Sequence, residues 1–147
     1  IINSLHLDPE ELERHNWKLK EKYDRMAQNE VRYEMYNMDQ AEIVIVAYGT
    51  TSRVVKSVIS MLNKEGIPVG LLRPITLWPY PQKAFDEIPE TVKALLSVEM
   101  STGQMIDDVK IAARGRWPVY FYGRSGGMVP TPDAIIEKVK EILRGQK

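Results

Sequence analysis

The chain has 147 residues, enough for one domain with a sizeable core, and 20 basic residues balance 20 acidic ones. Zero net charge leaves no general field for nucleic acid or an anionic membrane, so neither is expected as a partner. There is no cysteine, which excludes disulfides, thiolate metal sites and iron–sulfur ligation by this chain.

The two histidines, His6 and His15, lack the spacing of a helical metal pair, and no metal site is expected. No apolar run reaches the roughly 20 residues that span a bilayer, and no basic segment leads into an apolar one at the start, which reads as cytoplasmic. The first residues are Ile1 and Ile2 rather than Met, so a fragment of a longer chain is expected.

Asp8-Pro9-Glu10-Glu11 reads as a helix start: Asp8 accepts a free backbone N–H, Pro9 occupies the first turn, and Glu11 can complete a capping box. Leu12, Leu19, Tyr23, Met26 and Ala27 form a narrow apolar stripe through about residue 29, as on a helix lying on a larger body. Residues 1–30 are therefore expected to be a linker helix packing on a domain of residues 31–147. From Val31 the period changes to two, predicting a half-exposed strand over 31–36. Residues 43–48 are a continuous, mostly β-branched run, as in a strand covered on both faces.

Thr50, Thr51 and Ser52 can each cap the next helix, whose stripe is Val54, Val55, Val58, Ile59, Met61 and Leu62. A strand over 69–73 ends at Pro74. The rigid segment Trp78-Pro79-Tyr80-Pro81 then leads into a short helix carrying Phe85 and Ile88. A third central strand covers 94–99, followed by a helix built on Met105, Ile106, Val109, Ala112 and Ala113. A fourth covers 119–122, and Thr131 and Pro132 open the last helix. Alternating strands and helices predict a three-layer α/β/α sandwich with a mostly parallel sheet.

In such sheets ligands collect at the carboxyl ends of the strands, where loops and helix N-termini meet. Gly49, Thr50, Thr51, Ser52 and Arg53 offer hydroxyls, N–H groups and a cation to a phosphate or carboxylate, although helix capping alone explains the stretch and is the favoured reading. Arg73 lies at the next strand end. Glu99, with Ser101 and Gln104 nearby, can serve as an acid or base if desolvated, or as a hydrogen-bonding or interface group. Arg124 can meet an anion, and Gly126 and Gly127 permit close approach of another chain; a plain loop is the competing reading. Trp78 and Tyr80 can anchor a partner subunit or pack on their own core. There is no P-loop, GxGxxG or GxSxG motif, so no residue is assigned a catalytic role.

The segments AEIVIVAYGTTSRVVKSVISMLNKEGIPVGLLRPITLWPYP (41–81), LLSVEMSTGQMIDDV (95–109) and GRSGGMVPTPDAI (123–135) resemble the C-terminal region of the α subunit of 2-oxoacid:ferredoxin oxidoreductases. Within that group they look most like the 2-oxoisovalerate and 2-oxoglutarate enzymes. HNWKLKEKYDRMAQNEVRYEMY (15–36) resembles the helix and strand leading into that domain. The resemblance implies a transketolase C-terminal-like fold with five strands in the order 1-3-2-4-5 and one of them antiparallel. Local reading would pair residues 31–36 with 43–48 as a hairpin; the family order places them beside 69–73, and that is the expectation adopted.

The resemblance also implies a role in oxidative decarboxylation of a 2-oxoacid to an acyl-CoA by a thiamine diphosphate enzyme whose electrons pass through iron–sulfur clusters to ferredoxin. The chain lacks the GDG…N diphosphate motif and cysteine, so thiamine diphosphate, Mg and the clusters are expected in thiamine-binding and ferredoxin-like partner subunits or domains. Alone it is expected to be inactive, contributing to assembly and active-site shaping. The alternative is a small-anion-binding or regulatory domain without catalysis.

Overall fold

The computed structural model describes residues 5–145. The elements run α1 (Pro9–Asn29), β1 (Tyr33–Tyr36), β2 (Ile43–Val46), α2 (Gly49–Lys64) and β3 (Val69–Pro74), then a 3-10 helix (Gln82–Glu87). They continue through β4 (Ala94–Glu99), α3 (Met105–Ala113) and β5 (Val119–Gly123) to α4 (Pro132–Gly145). The five strands form one sheet in the order β1-β3-β2-β4-β5. β1 runs antiparallel to β3, with Glu34 opposite Arg73, and the other pairings are parallel. The adopted expectation for the edge strand is thus met, and the hairpin alternative is not.

Covering a parallel sheet on both faces requires two apolar layers. Ile43, Ile45, Leu71, Leu96 and Val98 face α2 and α4 and meet Val55, Val58, Ile59, Leu62, Ile135 and Val139. Val44, Val46, Leu72 and Leu95 face the 3-10 helix and α3 and meet Phe85, Ile88, Met105 and Val109. Every residue of β2 and β4 is buried, which explains why their sequence shows no alternation. Met61, expected in the stripe of α2, is instead 41% exposed at its margin.

β1 is shorter than expected, beginning at Tyr33, because Arg32 turns its carbonyl to the N–H groups of Ile75 and Thr76 beyond the end of β3. Its alternation survives. Tyr33 and Met35 pack on the α3 side, whereas Glu34 binds Lys56 Nζ at 2.5 Å and Arg73 at 3.0 Å. The hydrogen bond from Lys56, above all, holds the Glu34 carboxyl below the usual range; partial desolvation opposes it, and the bond from Arg73 adds to it. A carboxyl lowered by folding stabilises above its unfolded value, and that contribution is lost as pH falls through its folded value. Glu34→Gln should therefore be less stable than the parent near neutrality and should lose part of the parent's decline in stability below about pH 4.5. Urea midpoints measured across that window check this.

α1 begins as expected, with Asp8 Oδ1 accepting the Glu11 N–H at 2.8 Å. The capping box is not completed, since the Glu11 carboxylate turns to His6 Nδ1 at 3.3 Å. None of its residues is fully buried, and it touches the domain through Tyr23, edge-on to Trp78 with ring centres 5.4 Å apart. Residues 1–4 of the expected linker segment lie outside the described residues. Among those described, no helix is long and apolar enough to cross a membrane.

Candidate functional site

The chain leaves β2 towards β3 on one side, whereas β4 leads to β5 on the other. α2 packs on one face of the sheet and α3 on the opposite face, so the carboxyl ends of β2 and β4 form the switch point where crevices arise in such sheets. The stretches after β2, β4 and β5 border this edge. Arg73, at the end of β3, lies beyond β2 and is engaged by Glu34.

Glu99 dominates the edge. It ends β4, has no exposed surface, and accepts five hydrogen bonds. Ser97 Oγ and the Ile106 N–H reach Oε1 at 2.9 Å each. Ser101 Oγ at 2.8 Å, the Met105 N–H at 2.9 Å and the Gln104 N–H at 3.1 Å reach Oε2. Three backbone N–H groups and two hydroxyls thus converge on its two oxygens, and each oxygen is engaged more than once. Burying such a group is costly unless its hydrogen-bonding capacity is met, and the five bonds meet it. The positive end of α3 adds to the same side.

Glu99 therefore acts as the N-cap of α3 from a distance, replacing the side-chain cap that Gln104 does not supply. Ser101 is bound twice, since its Oγ also accepts the Gly103 N–H at 3.2 Å. The Arg124 N–H donates to the Glu99 carbonyl at 3.1 Å, tying the loop after β5 to the same point. Sequence reasoning placed Glu99, Ser101 and Gln104 together and missed Ser97. Its signal was available: a hydroxyl two residues before Glu99, hence on the same sheet face, inside an otherwise apolar strand.

Contrary to the expectation from the sequence, none of Thr50, Thr51 and Ser52 caps α2. The N-cap is Tyr48, with no side-chain hydrogen bond, and the three hydroxyl residues already lie in the first turn. The reason lies in Gly49, whose positive φ of 56° turns the chain sharply into the helix one residue after the cap. Ser52 Oγ is spent on the Gly49 carbonyl at 2.7 Å, and both Thr51 and Ser52 are buried. Thr50 and Arg53 are exposed, as are Gln104, Gly126 and Gly127, while Arg124 is half-buried. Gly126 and Gly127 both have positive φ, so the loop uses the freedom expected of them. The surface offered at the edge is thus Thr50, Arg53, Gln104 and Arg124 over a rigid Glu99 frame.

Trp78 projects, with 57% of its surface exposed, whereas Tyr80 turns inward beside Phe85. The Tyr80 hydroxyl is buried without a hydrogen-bond partner, and burial is the main reason that its proton is held well above the usual phenol range. With no cysteine in the chain there is no thiolate for an iron–sulfur cluster, and among the described residues no group of three His, Asp or Glu side chains could hold a metal ion.

Residues 41–135 match the family model for pyruvate:ferredoxin oxidoreductase core domain II. The chain is 46% identical to the ketoisovalerate oxidoreductase subunit VorB of Methanothermobacter thermautotrophicus, over 97% of this chain and 40% of that subunit. It is 36% identical to the 2-oxoglutarate synthase subunit KorA of Methanothermobacter marburgensis, over 69% of this chain and 27% of that one. The chain thus spans less than half the length of these relatives. Its fold is similar to part of the 2-oxoglutarate:ferredoxin oxidoreductase of Magnetococcus marinus, with TM-score 0.69 and 24% identity over 92% of this chain and 24% of that one. A split-gene transketolase is similar with TM-score 0.62 and 18% identity, over 77% of this chain and 41% of that one.

Proposed function

Because the chain belongs to the pyruvate:ferredoxin oxidoreductase core domain II family, we propose that it is the C-terminal domain of the α subunit of a 2-oxoacid:ferredoxin oxidoreductase. The observation that carries this reading is the 46% identity to a ketoisovalerate oxidoreductase subunit across nearly the whole chain. The same identity, higher than the 36% to a 2-oxoglutarate synthase subunit, favours a branched 2-oxoacid of the 2-oxoisovalerate kind as substrate.

In this reading the enzyme converts the 2-oxoacid to an acyl-CoA in the cytoplasm, and this domain contributes to assembly and to shaping access to the active site. Thiamine diphosphate, Mg and iron–sulfur clusters belong to thiamine-binding and ferredoxin-like partners, a reading supported by the lack of cysteine and of a GDG…N diphosphate motif in this sequence. Residues 1–30 serve as the connecting helix. The exposed Thr50, Arg53 and Gln104, with the half-buried Arg124, form the face presented to the partners or to the anionic part of a substrate or coenzyme. Glu99 takes no proton from substrate; it holds the loop that carries Ser101 and Gln104.

The test is 2-oxoacid-dependent reduction of ferredoxin in the presence of coenzyme A. The assembled enzyme should turn over 2-oxoisovalerate faster than 2-oxoglutarate, and this chain alone should turn over neither. Arg53→Ala and Arg124→Ala should lower the activity of the assembly without unfolding the domain. Turnover by the isolated chain would contradict the proposal, and a preference for 2-oxoglutarate would move the substrate assignment.

A further inference from the structure

We infer that the cleft between the C-terminal end of α1, the start of β1 and the connection after β3 binds a cationic group, an alkylammonium or a guanidinium. The cleft has a volume of about 850 Å³, within the usual range for small-ligand sites. Its lining combines two carboxylates, Glu87 and Asp108, with the aromatic side chains of Tyr33, Trp78 and Tyr80. Carboxylates and aromatic faces together are the chemistry that recognises organic cations.

Four observations point the same way. Neither Glu87 nor Asp108 has an ion-pair partner among the described residues, although Lys83 also lines the cleft. The Tyr33 hydroxyl donates to Glu87 and fixes that carboxylate in place. The buried Tyr80 oxygen has no partner and can accept a hydrogen bond from an N–H donor. The last turn of α1 contributes to the lining and carries no basic residue, so no side chain of that turn offsets the negative end of the helix dipole. The positive end of α3 offers Asp108 little compensation, because Glu99 already occupies it. Partial desolvation first, then the neighbouring charges of Asp107 and Glu99, raise the Asp108 carboxyl above its usual range.

This inference does not depend on the oxidoreductase reading and is tested on the 147-residue chain itself. The isotopically labelled protein is titrated with spermidine, with arginine amide and, as an anionic control, with N-acetylglutamate, following the Trp78 indole N–H and the amides of residues 78–87. Both cations should shift these signals saturably and the anion should not. Asp108→Asn, at an exposed position and so expected to fold, should weaken binding about tenfold through loss of a charge-assisted hydrogen bond. Tyr80→Phe removes a hydroxyl that has no internal partner and should weaken binding less, while Lys83→Ala should strengthen it. Tighter binding of arginine amide assigns the site to a basic side chain of another polypeptide, and tighter binding of spermidine assigns it to a free polyamine; either supports a cation site. Cations that leave these signals unmoved, or that bind the Asp108→Asn protein as well as the parent, would overturn it.

Discussion

Glu99→Ala should destabilise the chain by about 3–5 kcal/mol, because it leaves buried donors without their acceptor. The substitution strands the N–H groups of Gln104, Met105 and Ile106 and the hydroxyls of Ser97 and Ser101, and opens a cavity where the side chain was. For a chain of this size the loss should lower the melting temperature by roughly 2–4 °C per kcal/mol, with a matching fall in the urea midpoint. Glu99→Gln keeps the shape but turns an amide donor towards a set of donors, so it should still cost about 2–3 kcal/mol. A loss below about 1 kcal/mol for Glu99→Ala would show that water replaces the carboxylate and that the helix start does not depend on it. Amide exchange separates the two pictures further: if Glu99 organises the edge, protection should fall at Gln104, Met105 and Ile106 before it falls in β2.

Gly123→Ala should cost about 2–3 kcal/mol by overpacking. A Cβ at this position would sit 2.5 Å from the Ser101 carbonyl oxygen and inside the contact distance of the Phe121 ring. Phe121 can swing, but Ser101 is backbone held in place by its hydroxyl on Glu99, so the strand end and the loop cannot separate without loosening the cap. The two sites are therefore coupled. Gly123→Ala combined with Glu99→Gln should cost less than the sum of the single changes, measurable in a double-mutant cycle. Gly126→Ala makes the contrast: its added Cβ meets nothing within 4 Å, and the penalty should be only the left-handed backbone, about 1–2 kcal/mol. Equal losses at the two glycines would mean that the Ser101 loop yields freely.

These variants also mark how far the residues alone lead. The sheet and its two covering layers were legible because β2 is apolar on both faces, β4 is largely so, and the helices carry stripes at 3.6-residue spacing. The ends of α1 and α4 were legible because their caps are local: Asp8 accepts from Glu11, and Thr131 accepts from the Ala134 N–H at 3.4 Å. α2 and α3 start differently. α2 turns in at Gly49 without a side-chain cap, and α3 takes its cap from a strand residue six positions before Met105. A local pattern search cannot distinguish such a carboxylate from a catalytic one, since both sit at a strand end beside hydroxyls.

The place of β1 next to β3 was not legible from periodicity; proximity in sequence favoured a hairpin, and the family order, together with a break too long for a two-residue turn, gave the right neighbour. The cleft beside Tyr80 was equally hidden. Trp78 and Tyr80 were visible as an aromatic pair, but their opposite fates, one projecting and one turned inward with its hydroxyl buried and unpartnered, depend on α1, β1 and α3 meeting from three separate parts of the chain.

We propose that this domain supplies structure and surface to an enzyme whose cofactors lie in other parts. The most direct test is to use the chain as bait in extract from its own host and identify what it retains by mass spectrometry. The account predicts recovery of a thiamine-binding subunit together with a cysteine-rich, ferredoxin-like one, and loss of both when Arg53 and Arg124 are changed to Ala. Recovery of the bait alone, from extract in which the intact oxidoreductase is active, would contradict it.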